Sequence, residues 1–155
     1  MGMWNDLQKW RKLSHTDRSV LLFAGLNIPW TAFSLKMHGF KRVHARLHTH
    51  STHAPTTTAV ADLEAALHMA RLVDIANRKG IYEGNCLARS MTLAQLLQRH
   101  GIAFDLKIGV RKNGSTLEAH AWLECAGVPV NDSADVGKRF LPMEGSLTDL
   151  RGFGR

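Results

Sequence analysis

The hydrophobic period of this chain changes once, and that change limits the fold more than any other feature. Up to about His100 the apolar residues recur every three or four positions, as on one face of a helix; beyond Gly101 they recur every second position, as on one face of a strand. The first regime holds Trp4, Leu7, Trp10 and Leu13, then Leu21, Leu22 and Leu26, then Phe33 and Met37, then Phe40, Val43 and Leu47. These predict three or four short helices, with Ser14-His15-Thr16-Asp17 capping the second and Gly39 separating the last two. The charge-free run from Ser19 to Leu35 predicts a buried helical hairpin broken at Pro29 rather than a membrane span, because Asn27, Pro29, Thr31 and Ser34 interrupt it. Residues 49–58, THSTHAPTTT, lack any large apolar residue and read as an exposed linker. A longer helix is expected from about Ala59 to Lys79, ended by Gly80 as a left-handed cap, and a strongly apolar one from Cys86 to Arg99 with Asn85 as its N-cap.

After Gly101, Phe104, Leu106, Ile108 and Val110 alternate with Asp105, Lys107 and Gly109, Lys112 to Ser115 form a turn, and further strands are expected over Glu118 to Glu124 and Val128 to Asp132. The fold class implied is α+β: a helical N-terminal half, then a helix packed on a small antiparallel sheet. The expected organisation is a basic helical segment over residues 1–48, the linker 49–58, and a core over 59–155 that forms one compact unit with 1–48. The tail from Ser133 onward carries no readable pattern.

Charge separates the two halves. Residues 1–58 hold eight Lys and Arg against two Asp, a surplus of six, whereas residues 59–155 hold twelve against eleven. An acidic peptide, a partner protein or a membrane surface could each dock on the basic half. Nucleic-acid binding is not expected, because the cations are spread over several helices without a known motif. The opening MGMWNDLQKW lacks the cationic and apolar regions of an export signal, and two cysteines in 155 residues make no disulfide framework, so a cytoplasmic protein with free thiols is expected.

Three residues stand where this architecture would gather them: Cys86 at a helix start, His120 on one strand and Asp132 on the next. Unsatisfied amides and the helix dipole at a first helical turn favour a thiolate, so Cys86 is the better nucleophile candidate than Cys125, which lies beside a tight turn. If Cys125-Ala126-Gly127 is a three-residue loop with Gly127 left-handed, His120 faces Asp132 across the hairpin. A two-residue Ala126-Gly127 turn would place Asp132 opposite Ala121 and on the wrong face. The proposed chemistry therefore selects the longer loop. Trp122 shares the face of His120, where it could shield a Cys86–His120 ion pair or simply pack; Glu83, Glu118 and Glu124 read as surface or rim residues.

Asn85-Cys86-Leu87-Ala88-Arg89-Ser90-Met91-Thr92-Leu93, Ile108-Gly109-Val110-Arg111, Ala119-His120-Ala121-Trp122-Leu123-Glu124, Gly127 and Asn131-Asp132 together resemble the leader peptidases of lasso-peptide biosynthesis, within the transglutaminase-like, papain-like cysteine protease superfamily. That resemblance implies a Cys86-His120-Asp132 triad with no metal or organic cofactor. It also implies a ribosomally made precursor peptide as substrate and a macrolactam synthetase as the next enzyme. Members that lack a winged-helix-like recognition domain depend on a separate leader-recognition protein, and this chain resembles that split form. Two rival functions use the same residues differently: an amine-accepting acyltransferase on the same triad, and a catalytically silent binding module built on the basic helices. The His-rich tract His44, His48, His50 and His53 has an i, i+4 pair that could hold zinc, but no Cys or paired carboxylate accompanies it, and an exposed polar segment accounts for it.

Overall fold

The computed structural model of the chain describes residues 13–48, 60–80 and 82–142, the side chains of 40–48 excepted. The expected helix around Trp4 to Trp10, the linker 49–58, the side chains of the His-rich tract and the tail beyond residue 142 lie outside the described residues.

The first helix, α1 (His15–His48), starts where the sequence provides a cap: the Ser14 hydroxyl accepts the Asp17 amide at 3.0 Å. Gly39, at φ 73° and ψ 163°, interrupts it at the position expected. Pro29 does not. The helix continues through it, so the expected hairpin is replaced by one helix that buries a single face. Proline at this point forfeits the hydrogen bond to the Gly25 carbonyl. Val20, Ala24 and Ile28 before it and Thr31 after it are all buried on the same side, and that shared burial holds the two halves in line.

Against that face pack α2 (Val60–Lys79) and α3 (Cys86–Arg99). Ala66, Met69, Ala70, Leu72 and Val73 of α2 meet Met91, Leu93, Ala94 and Leu97 of α3 in one core, with Leu123 and Cys125 arriving from the sheet. Gly80 ends α2 but is not left-handed, contrary to expectation. Its glycine answers crowding instead, since a Cβ there would stand 2.5 Å from the Ala76 carbonyl oxygen. The left-handed cap occurs one helix later, at Gly101 (φ 69°) after α3.

The sheet is antiparallel, four-stranded and ordered β3-β2-β1-β4, with β1 Asp105–Asn113, β2 Thr116–Cys125, β3 Val128–Pro129 and β4 Leu141–Pro142. A single helical turn, α4 (Val136–Arg139), precedes β4. This is the α+β architecture expected, with two differences in the sheet. β3 stops at Pro129 rather than reaching Asp132, and β4, which no alternation announces, pairs with β1 at Gly109 and Val110.

Alternation along β2 sorts its residues onto two faces. Leu123 and Cys125 enter the helical core, while Trp122, fully buried, forms a second small cluster with Val136 and Phe140 on the other face. Gly109 makes room for that cluster. It lies opposite His120 in the β1–β2 ladder, and a Cβ there would come within 2.9 Å of both the Trp122 ring and Phe140 Cβ.

Gly109→Ala should therefore destabilise the protein by about 1–3 kcal/mol through overpacking. Urea denaturation followed by tryptophan fluorescence measures this, with Gly137→Ala as the control, because a Cβ at Gly137 meets nothing within 4 Å. Equal midpoints for the two variants would disprove the crowding.

Candidate active site

The N-terminus of α3 is built to hold Cys86. Asn85 adopts an extended backbone (φ −68°, ψ 170°) and its side chain accepts the Ala88 amide at 2.9 Å, the cap read from the sequence. The Arg89 amide bonds the Asn85 carbonyl at 3.1 Å. The amides of Cys86 and Leu87 have no partner among the described residues, and they form the positive end of the helix beside the thiol. The segment entering the helix is fixed from two sides. Gly84 donates its amide to the buried Asn77 side chain at 2.8 Å, and it lies so close against Ile28 of α1 that a Cβ would collide with that side chain.

One turn beyond Cys86, on the same side of the helix, stands Ser90, fully buried. Its hydroxyl donates to the Ala121 carbonyl at 3.0 Å and accepts from the Asn131 side-chain amide at 2.8 Å. Ala121 and Asn131 are the sequence neighbours of His120 and Asp132. The helix that carries Cys86 is thus anchored beside both.

His120 and Asp132 meet directly: Nε2 of the imidazole bonds Oδ2 of the carboxylate at 2.5 Å, with both side chains largely buried. The other carboxylate oxygen, Oδ1, accepts from Arg139 at 2.7 Å and from the Ser133 amide at 2.8 Å. The His120 ring stacks on Phe140 at 4.8 Å between centroids and on Trp122 at 6.2 Å, so an aromatic wall fixes its plane. With Nε2 engaged, Nδ1 is the ring nitrogen left to act as a base. Cys86 is not hydrogen-bonded to His120 among the described residues.

The expected hairpin register needs correction. Ala126 (φ 50°) and Gly127 (φ 77°) are both left-handed, and Cys125 pairs with Val128, so the loop has two residues rather than three. In an unbroken ladder Asp132 would then oppose Ala121 and face away from His120. The ladder breaks first. Val130 donates to the Leu123 carbonyl at 2.9 Å, but the Leu123 amide takes the Asn131 side-chain oxygen at 2.8 Å in place of a strand carbonyl. The chain leaves the sheet at that point, and Asp132 swings onto His120.

Arg139, Ser133 and Phe140 fall in the stretch that carries no sequence pattern, so their part in the site is not legible from the sequence. Glu124 accepts the Trp122 indole N–H at 2.8 Å, and Glu118 binds Arg111 and Asn113, each at 2.6 Å. Both carboxylates are thereby engaged in holding the sheet.

A family model described as the transglutaminase-like superfamily matches residues 30–145, well over half of the chain and all of the site just described. The chain belongs to the transglutaminase-like superfamily. No curated protein and no solved structure matches it. Superfamily membership agrees with the α+β fold and brings an expectation of cysteine-dependent chemistry. Of the two thiols, Cys125 is poorly suited to that. It is fully buried, and burial together with the charges of Asp105 and Asp62 pushes its pKa up to about 11.

For Asp132, burial raises the pKa, but hydrogen bonds from His120 and Ser133 and the charge of His120 outweigh it and hold the carboxyl below its ordinary 3.8. A carboxylate with a lower pKa folded than unfolded adds stability above the unfolded value, and that stability is lost as the pH falls through the folded one. Asp132→Asn should thus be less stable than the native chain at pH 7, by roughly 1–2 kcal/mol. The gap should narrow as the pH drops below 3.8. Thermal melts across that range measure it, and a gap that stays constant with pH would show that the pair carries no net charge interaction.

Proposed function

We propose that this transglutaminase-like protein is a cysteine peptidase that removes the leader from a ribosomally made precursor peptide, with Cys86, His120 and Asp132 as its triad. The observation that carries the reading is the His120–Asp132 hydrogen bond at 2.5 Å, set beside a capped helix start that presents a partly exposed cysteine. In the mechanism, His120 Nδ1 takes the Cys86 proton, and the thiolate attacks the scissile carbonyl. The developing oxyanion is received by the Cys86 amide at the helix start. As the tetrahedral intermediate collapses, the C–N bond breaks and the imidazolium gives its proton to the departing amine. Water, deprotonated by His120, then cleaves the thioester. Asp132 stays ionised throughout and fixes the tautomer with the proton on Nε2.

Lasso-peptide maturation is the pathway favoured by the motif blocks around Cys86, Gly109, His120 and Asp132. In it, a macrolactam synthetase would consume the freed core peptide. Leader selection would come from a separate recognition protein, as the resemblance to the split form implies. A cytoplasmic site of action fits a nucleophilic thiol. The rival acyltransferase differs only in the group that resolves the thioester, so product analysis separates the two.

Iodoacetamide near neutral pH should label Cys86 in preference to Cys125, as peptide mass spectrometry would read. Equal labelling would remove the nucleophile assignment. With a cognate precursor and recognition protein, His120→Ala should abolish cleavage, whereas Asp132→Asn should leave residual activity at a level down by about 10⁴-fold. Cleavage by the chain alone should be slow, rising when the recognition protein is added and falling as salt is raised. Full activity in Cys86→Ala or His120→Ala would refute the peptidase reading, and transfer of the acyl group to an added amine in preference to water would select the acyltransferase.

A further inference from the structure

Helix α1 is two-faced in a way the core does not explain. Val20, Ala24, Ile28 and Thr31 point into the protein, whereas Leu22, Leu26, Trp30, Phe33 and Met37 are each more than half exposed. At 100° per residue those five fall within an arc of about 80°, opposite the buried set, and extend over about 22 Å of helix. Trp30 and Phe33 lie against each other at the middle of this stripe, their ring centroids 6.2 Å apart. An exposed apolar strip of this length on one helix marks a surface that is covered in use.

Charge indicates what covers it. No Asp or Glu occurs from Arg18 to Ala61, while Arg18, Lys36, Lys41, Arg42 and Arg46 all fall in that stretch. Lys36 is exposed and borders the stripe. A second copy of the chain lying stripe to stripe would bring Lys36 against its own kind. A surface that is both apolar and anionic satisfies the stripe and Lys36 together. We propose that the stripe lies on an anionic lipid bilayer, with α1 in the plane of the headgroups. The segment His15–Gly39 is long and apolar enough to cross a membrane, its most apolar 18-residue window having a mean hydropathy of 1.3. Its opposite face is occupied by α2 and α3, so it rests on the surface instead of inserting. The proposal does not depend on which bond the enzyme cleaves.

Sedimentation of the full chain with vesicles tests it. The chain should partition onto vesicles containing phosphatidylglycerol and only weakly onto pure phosphatidylcholine, with binding weakened by salt. Lys36→Gln should reduce partitioning about fivefold. Leu26→Ser combined with Phe33→Ser should reduce it about tenfold or more. Both of those side chains are exposed, so the melting temperature should stay at the native value, and Lys36→Gln provides an independent reading if it does not. Equal binding to both vesicle types, no binding to either, or native binding by the double variant would overturn the proposal. So would a stripe-dependent dimer in sedimentation velocity without lipid.

Discussion

The Ser90 hydroxyl holds the site in register. It is buried and uses both of its capacities, donating to the Ala121 carbonyl and accepting from Asn131. Three separate pieces of chain meet at that one oxygen: the helix that begins at Cys86, the strand that carries His120 and the segment that ends in Asp132. A buried carbonyl and amide left without it would each cost about 1–3 kcal/mol, so the arrangement is strongly preferred over a slipped one. The apolar core around Met91, Leu97 and Leu123 brings helix and sheet together, but apolar contact is not directional. The hydroxyl supplies the direction.

Around this point β2 serves two environments. Its core-facing residues bind the helices, and its other face carries His120 and Trp122 over the space left by Gly109, under Phe140 and close to Arg139. The two Asp132 oxygens are divided between an imidazole and a guanidinium. That division keeps the carboxylate ionised and stationary, which suits the part proposed for it, to orient a base without exchanging protons. Arg111 lies over the Phe140 ring at 4.7 Å and so extends the support of the ring that His120 stacks on.

Much of this was legible in the sequence wherever a local rule governed. The Ser14 and Asn85 caps, the break at Gly39, the change of period after Gly101 and the α+β class follow from hydrogen-bonding needs and side-chain periodicity within a few residues. Pro29 was misleading because burial on both sides of it outweighs a local loss. Gly80 was misleading because crowding and backbone conformation select glycine alike. The hairpin was misread because ladder arithmetic assumes that pairing continues, and a side-chain amide from Asn131 ended it.

The sequence by itself therefore determined the α+β class, the main helices and the first two strands in their order, and it singled out Cys86, His120 and Asp132 as candidates, since caps, periodicity and turn residues depend on neighbours in the chain. Only the tertiary structure decided that Asp132 reaches His120 after leaving the sheet, that Arg139 and Phe140 complete the site, and that α1 turns one apolar face inward and leaves the other bare. Those outcomes depend on contacts between residues far apart in sequence, where the competing local geometries differ by little and packing settles the choice.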